Sequence, residues 1–194
     1  GTGGMLRLLH DDLKVKNISA VEKSESNISF LKDHFDSVSL YYDISEIKHK
    51  KYDVIISHAL FEHLREPKDF LLEMKSMLNP DGYLIMEMPN KREPLIDILE
   101  IDEFKKFTYQ KQHYFTYNER SLSVLAEAAS LNIDNFYYCQ RYSLDNHMSW
   151  LINKRPKDFS SFGKLFSEET KNSYRRDLIK NKTTDMLGVV LSRD

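Results

Sequence analysis

Two nearly continuous apolar runs, "YDVIIS" (52–57) and "YLIMEM" (83–88), stand on either side of "KDFLLEMKSML" (68–78). Runs of this kind read as strands covered on both faces. Between them Phe70, Leu71, Met74, Met77 and Leu78 recur at helical spacing and make one apolar stripe. Buried strands joined through an amphipathic helix predict an α/β domain with a mainly parallel sheet.

The alternation extends in both directions. "NISAVE" (17–22) and "VSLYYD" (38–43) read as short strands that each end in an acid. Ser26 to Phe35 reads as the helix between them, with Ile28, Leu31 and Phe35 on its inner face. Asp81-Gly82 predicts a turn, and Pro89 stops the strand that follows it. Residues 91–115 are polar and aromatic without a clean period. Thr116-x-x-Glu119 has capping-box spacing and opens a helix to about Leu131. Residues 133–143 read as a strand, and 185–193 as the last one. Residues 144–180 are helical in pattern but broken around Pro156 and Gly163. The division that follows is a core at 1–143, a helical appendage at 144–184 and a final strand at 185–194 that returns to the core sheet.

At 194 residues the chain is one domain, or one domain with an appendage. A net charge of −2 gives no electrostatic case for nucleic acid or an anionic membrane as partner. No apolar run approaches the roughly 20 residues of a membrane span. The single cysteine, Cys139, fits a reducing cytoplasm and reads as a core or surface thiol. The oligomeric state is left open.

Three of the six glycines fall within the first four positions, and an apolar, helix-like run at 5–13 follows. A glycine turn before a helix lets backbone approach a ligand closely, with free N–H groups at the helix end. Glu22 closes the next strand about 20 residues on, where a carboxylate can accept from both hydroxyls of a ribose. Nicotinamide and S-adenosylmethionine binders share these features. Leu6 stands where the nicotinamide fingerprint wants its third glycine, which leaves an oxidoreductase as a minor alternative.

The segment "KYDVIISHALFEHLREPKDFLLEMKSMLNPDGYLIMEMPN" (51–90) resembles the fourth strand, next helix and fifth strand of class I S-adenosylmethionine-dependent methyltransferases of the small-molecule type. The matching features are "YDVI", "LFEHL", Pro67, "LNPDGYLIMEMPN" and "HYFTYNERSLSVLAEAASL" (113–131). With the glycine turn and Glu22, the likeness covers about two thirds of the chain. It departs at Met5, where the family has the third glycine of its turn.

The resemblance implies a Rossmann-like sheet of order 3-2-1-4-5-7-6 with its last strand antiparallel. Strand 1 would lead into the glycine turn, so it is expected before Gly1, in a longer protein. It also implies S-adenosylmethionine as cofactor. Gly1 and Gly3 would pass beneath its methionine part and Glu22 would hold the ribose. Asp43 and Ile44 would meet the adenine, and Ser57 and His58 would line the approach to the methyl group.

Methyl transfer is a displacement at an activated sulfonium carbon, so the protein chiefly positions the reactants. An alcohol acceptor also needs a base, and imidazole suits neutral pH. His113 and His58 are the expected catalytic residues, with His63 nearby. His147 and Trp150, beside Asp145 and Asn146, would contact a polar small-molecule acceptor. "HALFEH" invites a metal reading through His58, Glu62 and His63. However, two histidines five apart lie about 140° around a helix, so no metal is expected. "QRYSLDNHMSWLINKRP" and "TTDML" also resemble the tails of methyltransferases of bacterial surface-polysaccharide biosynthesis. The expected function is methyl transfer to an oxygen of a carbohydrate or nucleotide-sugar acceptor. The alternative is a methyltransferase-like binding or scaffold protein without turnover.

Overall fold

The computed structural model describes residues 1–156 and 165–193. The expected break at Gly163 lies outside the described residues. The chain divides into two compact units, Gly1–Lys51 and Tyr52–Asp194.

The first unit begins with α1 (Gly4–Arg7), which widens into one π-helical turn over Leu8–Asp12. β1 (Ile18–Val21), α2 (Glu25–His34) and β2 (Val38–Tyr41) follow close to the expected positions. β1 and β2 pair in parallel, Ile18 against Val38. Leu6, Ile18, Leu31, Phe35 and Val38 form the core of this unit. Gly3 caps α1 with φ at 81°, a left-handed conformation that glycine adopts without strain. A Cβ there would lie 2.7 Å from Leu31 Cδ2 and 2.8 Å from Phe35 Cε2. Close packing on α2 therefore demands this glycine, whatever binds at the turn.

The second unit carries β3 (Tyr52–His58), α3 (Pro67–Met77), β4 (Leu78–Pro89), α4 (Pro94–Asp97) and α5 (Asp102–Thr108). α6 (Glu119–Ala128), β5 (Leu131–Cys139), α7 (Leu144–Asn153), α8 (Glu168–Lys180) and β6 (Met186–Arg193) complete it. Its sheet runs β3-β4-β6-β5, with β3 parallel to β4 and β6 antiparallel to both neighbours. In the numbering expected from the sequence these are strands 4, 5, 7 and 6. β1 and β2, the expected strands 2 and 3, form a separate two-stranded sheet.

Several expectations need correction. β3 is not covered on both faces: it is an edge strand, and Val54 is 48% exposed. Asp81-Gly82 falls inside β4, within a four-residue stretch, 79–82, that stands opposite Asp53 alone. β4 starts at Leu78 and bulges there, advancing from Leu78 to Tyr83 while β3 advances from Tyr52 to Val54. The aperiodic stretch 91–115 holds two short helices, α4 and α5. Their apolar residues Leu95, Ile96 and Phe104 gather on Trp150 of α7 rather than along one long stripe. The cap of α6 is Asn118, whose Oδ1 accepts from the Ser121 N–H while its own N–H donates to Ser121 Oγ, in place of Thr116 and Glu119. α6 ends at Ala128 because Leu131 already belongs to β5. Among the described residues no helix is long and apolar enough to cross a membrane.

Candidate active site

A cleft of about 330 Å³ opens in the second unit where β3, β4 and β5 end and β6 begins. Parallel α/β sheets place ligands at this end. Ala59, the first residue past β3, lines it with φ at 49°. A left-handed conformation in a side chain with a Cβ costs about 1–3 kcal/mol and recurs at functional sites. Asn90 and Glu93 come from the end of β4, and Phe104, Phe107 and Thr108 from α5.

One wall is titratable. The residues after "HALF" do not run directly into a helix. Phe61–His63 form a single 3-10 turn, and α3 starts only at Pro67. Glu62 is 2% exposed, and its Oε2 has no hydrogen-bond partner. His63 follows it in the same turn and also lines the cleft, and His113 arrives from the segment after α5. The two imidazoles meet edge to face with centroids 4.7 Å apart. Nδ1 of His63 lies 3.0 Å from the Gln112 carbonyl, and Nδ1 of His113 lies 2.7 Å from the Thr108 carbonyl. A carbonyl can only accept, so each Nδ1 donates, and in the neutral imidazole Nε2 carries the lone pair.

Arg141 and Asp185 also line the cleft. They follow β5 and precede β6, where Cys139 pairs with Met186. Asp185 accepts from the Arg141 N–H and from its Nε, both at 2.7 Å, and so fixes the guanidinium at the cleft. Gln140 holds Asp185 in turn, accepting from its N–H at 2.9 Å.

Behind the third wall lies a buried pair. Glu93 Oε2 accepts from the Ile96 N–H at 3.1 Å and caps α4. Its Oε1 stands 3.3 Å from His147 Nε2, close but not aligned as a hydrogen bond. Burial pushes the Glu93 carboxyl up to about 8, against the opposing N–H groups of Leu95 and Ile96 and with help from the Asp185 charge. Burial likewise pulls the His147 imidazole down to about 4. Both groups are therefore mainly uncharged at neutral pH, and His147 Nδ1 bonds the Tyr174 hydroxyl of α8 at 2.6 Å.

The expected residues fall unevenly on this geometry. His113 lines the cleft. His58 ends β3 with its side chain 43% exposed, 3.1 Å from Glu87, and does not line the cleft. His147 and Trp150 do not line it either. They occupy the inner face of α7, where His147 backs Glu93 and Trp150 supports Phe104 and Phe107 at centroid distances of 5.0 and 5.3 Å. Neither is placed for direct acceptor contact. Ser57 is buried at the end of β3 with an unpartnered Oγ.

The remaining expected residues belong to the first unit. Glu22 follows β1, and its carboxylate accepts from the Ser24 N–H at 2.9 Å and from the Gly1 nitrogen. Burial pushes that carboxyl up, but these donors outweigh it and hold it below its usual value. Asp43 caps the 3-10 turn Ile44–Glu46, accepting from the Ser45 N–H at 3.0 Å. Gly1 has open space around it.

Sequence reasoning missed Glu93, Arg141 and Asp185. Their only signal was position: each sits just beyond a strand end on the ligand side of the sheet. Cys139 is half-buried in β5, and burial raises its thiol, as suits a structural residue.

A family model described as a methyltransferase domain matches residues 1–135. The chain belongs to the methyltransferase-domain family. A curated relative is the malonyl-[acyl-carrier protein] O-methyltransferase of Anoxybacillus flavithermus, 30% identical over 89 residues. That match takes in 44% of this chain and 34% of the relative, so it spans about a third of the relative's length. A SAM-dependent methyltransferase from Archaeoglobus fulgidus superposes with a TM-score of 0.61 at 16% identity, over 100% of this chain and 82% of that one. Another from Clostridium acetobutylicum gives 0.60 at 14% identity, over 100% and 80%. This methyltransferase-family chain thus has the α/β fold of class I S-adenosylmethionine-dependent enzymes.

Proposed function

We propose that this chain catalyses S-adenosylmethionine-dependent methyl transfer to an oxygen of a small polar acceptor, of the carbohydrate or nucleotide-sugar kind, in the cytoplasm. The observation that carries this reading is the second unit's cleft, lined by two imidazoles held through Nδ1 and by a guanidinium fixed on Asp185. When bound, the cofactor supplies a methyl group on a positively charged sulfur. Support for its binding comes from each unit by itself: in the first, Glu22 lies beside the glycine turn, and in the second, the buried Ser57 hydroxyl lacks a partner. We assign Gly1 and Gly3 to its methionine part, Glu22 to its ribose and Asp43 and Ile44 to its adenine. Ser57 is assigned to its reactive end.

The acceptor hydroxyl is oriented between the walls. Arg141 offers charge-assisted hydrogen bonds to a polar or anionic group of the acceptor. His113 Nε2 takes the hydroxyl proton as the oxygen attacks. His58 is the second candidate base, reached from the exposed end of β3. His147 and Trp150 act indirectly, by holding Glu93 and the α5 aromatics in the wall.

Calorimetry with S-adenosylhomocysteine, followed by transfer of labelled methyl to glycan and nucleotide-sugar pools, tests the proposal. Saturable binding and a labelled, base-stable ether product are expected. No binding at millimolar cofactor sinks it. Binding without transfer to any pool favours a scaffold role.

A further inference from the structure

Glu62, His63 and His113 each bring a ligand atom within 4.8 Å of the other two. We infer that they bind one divalent transition-metal ion, of the zinc or cobalt kind, on the wall of the cleft.

The sequence hides this set. Read as a helix, "HALFEH" sets its two histidines apart, and the metal reading fails. In the folded chain His58 ends a strand and drops out, while Glu62 and His63 share a tight 3-10 turn. The third donor is His113, fifty positions further on. A hydrogen bond from the Tyr114 N–H to the Glu62 carbonyl, at 2.9 Å, pins the two segments side by side.

Three observations point to a cation. First, Glu62 is almost wholly buried with an unpartnered oxygen. A buried carboxylate without a partner is costly, and a cation removes that cost. Second, both imidazoles donate Nδ1–H to main-chain carbonyls. Metal-binding histidines are held in this way, with the other nitrogen presented as ligand. Third, two neutral imidazoles and one carboxylate leave a divalent ion with net positive charge and open positions, the donor set of catalytic rather than structural sites. Donors about 2.1 Å from one ion sit about 3.0–3.5 Å apart, so the set closes by at most about 1.5 Å on binding.

A hydroxyl in an open position would be polarised by the ion. In the loaded protein His113 then serves as ligand instead of base. Only this role rests on the function proposed above; binding itself needs no acceptor.

The test is titration of the EDTA-treated full chain with Co²⁺, with His34→Ala as control. One equivalent is expected to bind and to show the visible ligand-field bands of a low-coordinate site. His63→Ala, His113→Ala and Glu62→Gln should each weaken binding tenfold or more. Absence of saturable binding, or unchanged affinity in the His63→Ala/His113→Ala pair, overturns the inference. Should a variant lose its circular-dichroism spectrum, Cu²⁺ paramagnetic resonance on the unmodified chain decides: splitting by two nitrogens supports the site, and fewer than two overturns it. Cobalt bound without methyl transfer would sink the function and spare the site. Full transfer by a metal-free chain that binds no Co²⁺ would do the reverse.

Discussion

Glu93 Oε1 and His147 Nε2 face each other at 3.3 Å, at 1% and 2% exposure, as a carboxylic acid and a neutral imidazole. Their shifts act on stability in opposite directions. The Glu93 carboxyl rises to about 8, so the folded chain keeps a proton that the unfolded chain loses above about 4.5. Stability from it falls as pH rises from 4.5 to 8. The His147 imidazole drops to about 4 from 6.5, so its contribution is lost as pH falls through that interval. The two slopes cancel between 4.5 and 6.5. From 6.5 to 8 Glu93 acts alone, at about 1.4 kcal/mol per pH unit, or about 2 kcal/mol in all. Urea midpoints across this range should fall in the unmodified chain and stay level in Glu93→Gln. A level profile in the unmodified chain contradicts the pair.

How much of this was readable beforehand depends on the range of the forces involved. β3, α3 and β4 were legible because their apolar runs and the helical stripe between them are local features, and so was the place of Glu22 just past the end of β1. The burial of Glu62 was not legible because it depends on a 3-10 turn in place of a helix. The placing of His113 beside it depends on one main-chain hydrogen bond across fifty residues. His147 and Trp150 look like ligand residues in one dimension, but the inner face of α7 buries them against α4 and α5. Arg141 and Asp185 meet only through the antiparallel pairing of β5 and β6.

Gly3 and Gly1 should respond differently to alanine. Gly3→Ala places a Cβ at φ 81° and against Leu31 and Phe35. Left-handed strain alone costs about 1–2 kcal/mol, and both neighbours are core residues. Amides of α2 and β1 should lose hydrogen-exchange protection. Gly1→Ala has nothing within 4 Å and should leave that protection unchanged. Equal behaviour of the two variants would show that packing does not select the glycine.

Glu22→Ala should weaken cofactor binding by about 1–3 kcal/mol, the cost of losing charge-assisted hydrogen bonds. The fold should survive, because Glu22 follows β1 and lies outside the core of its unit. Calorimetry with S-adenosylhomocysteine reads the first effect and thermal melting the second. An unchanged dissociation constant removes Glu22 from the cofactor site.

His113→Ala separates chemistry from binding. Its Nδ1 is committed to the Thr108 carbonyl at 2.7 Å, which leaves Nε2 as the reactive atom. Whether that nitrogen takes the acceptor proton or holds a cation that polarises the acceptor, its loss falls on the transition state. Turnover should drop by roughly 10²–10⁴, with the cofactor dissociation constant unchanged. The two routes part on added metal. If His113 is a ligand, Zn²⁺ in excess should restore part of the rate through Glu62 and His63, and the unmodified enzyme should lose activity to a chelator. If it is the base, excess Zn²⁺ should do nothing, and the rate should instead be rescued by added imidazole. A loss of tenfold or less would return His113 to a structural role and leave His58 as the base to examine next.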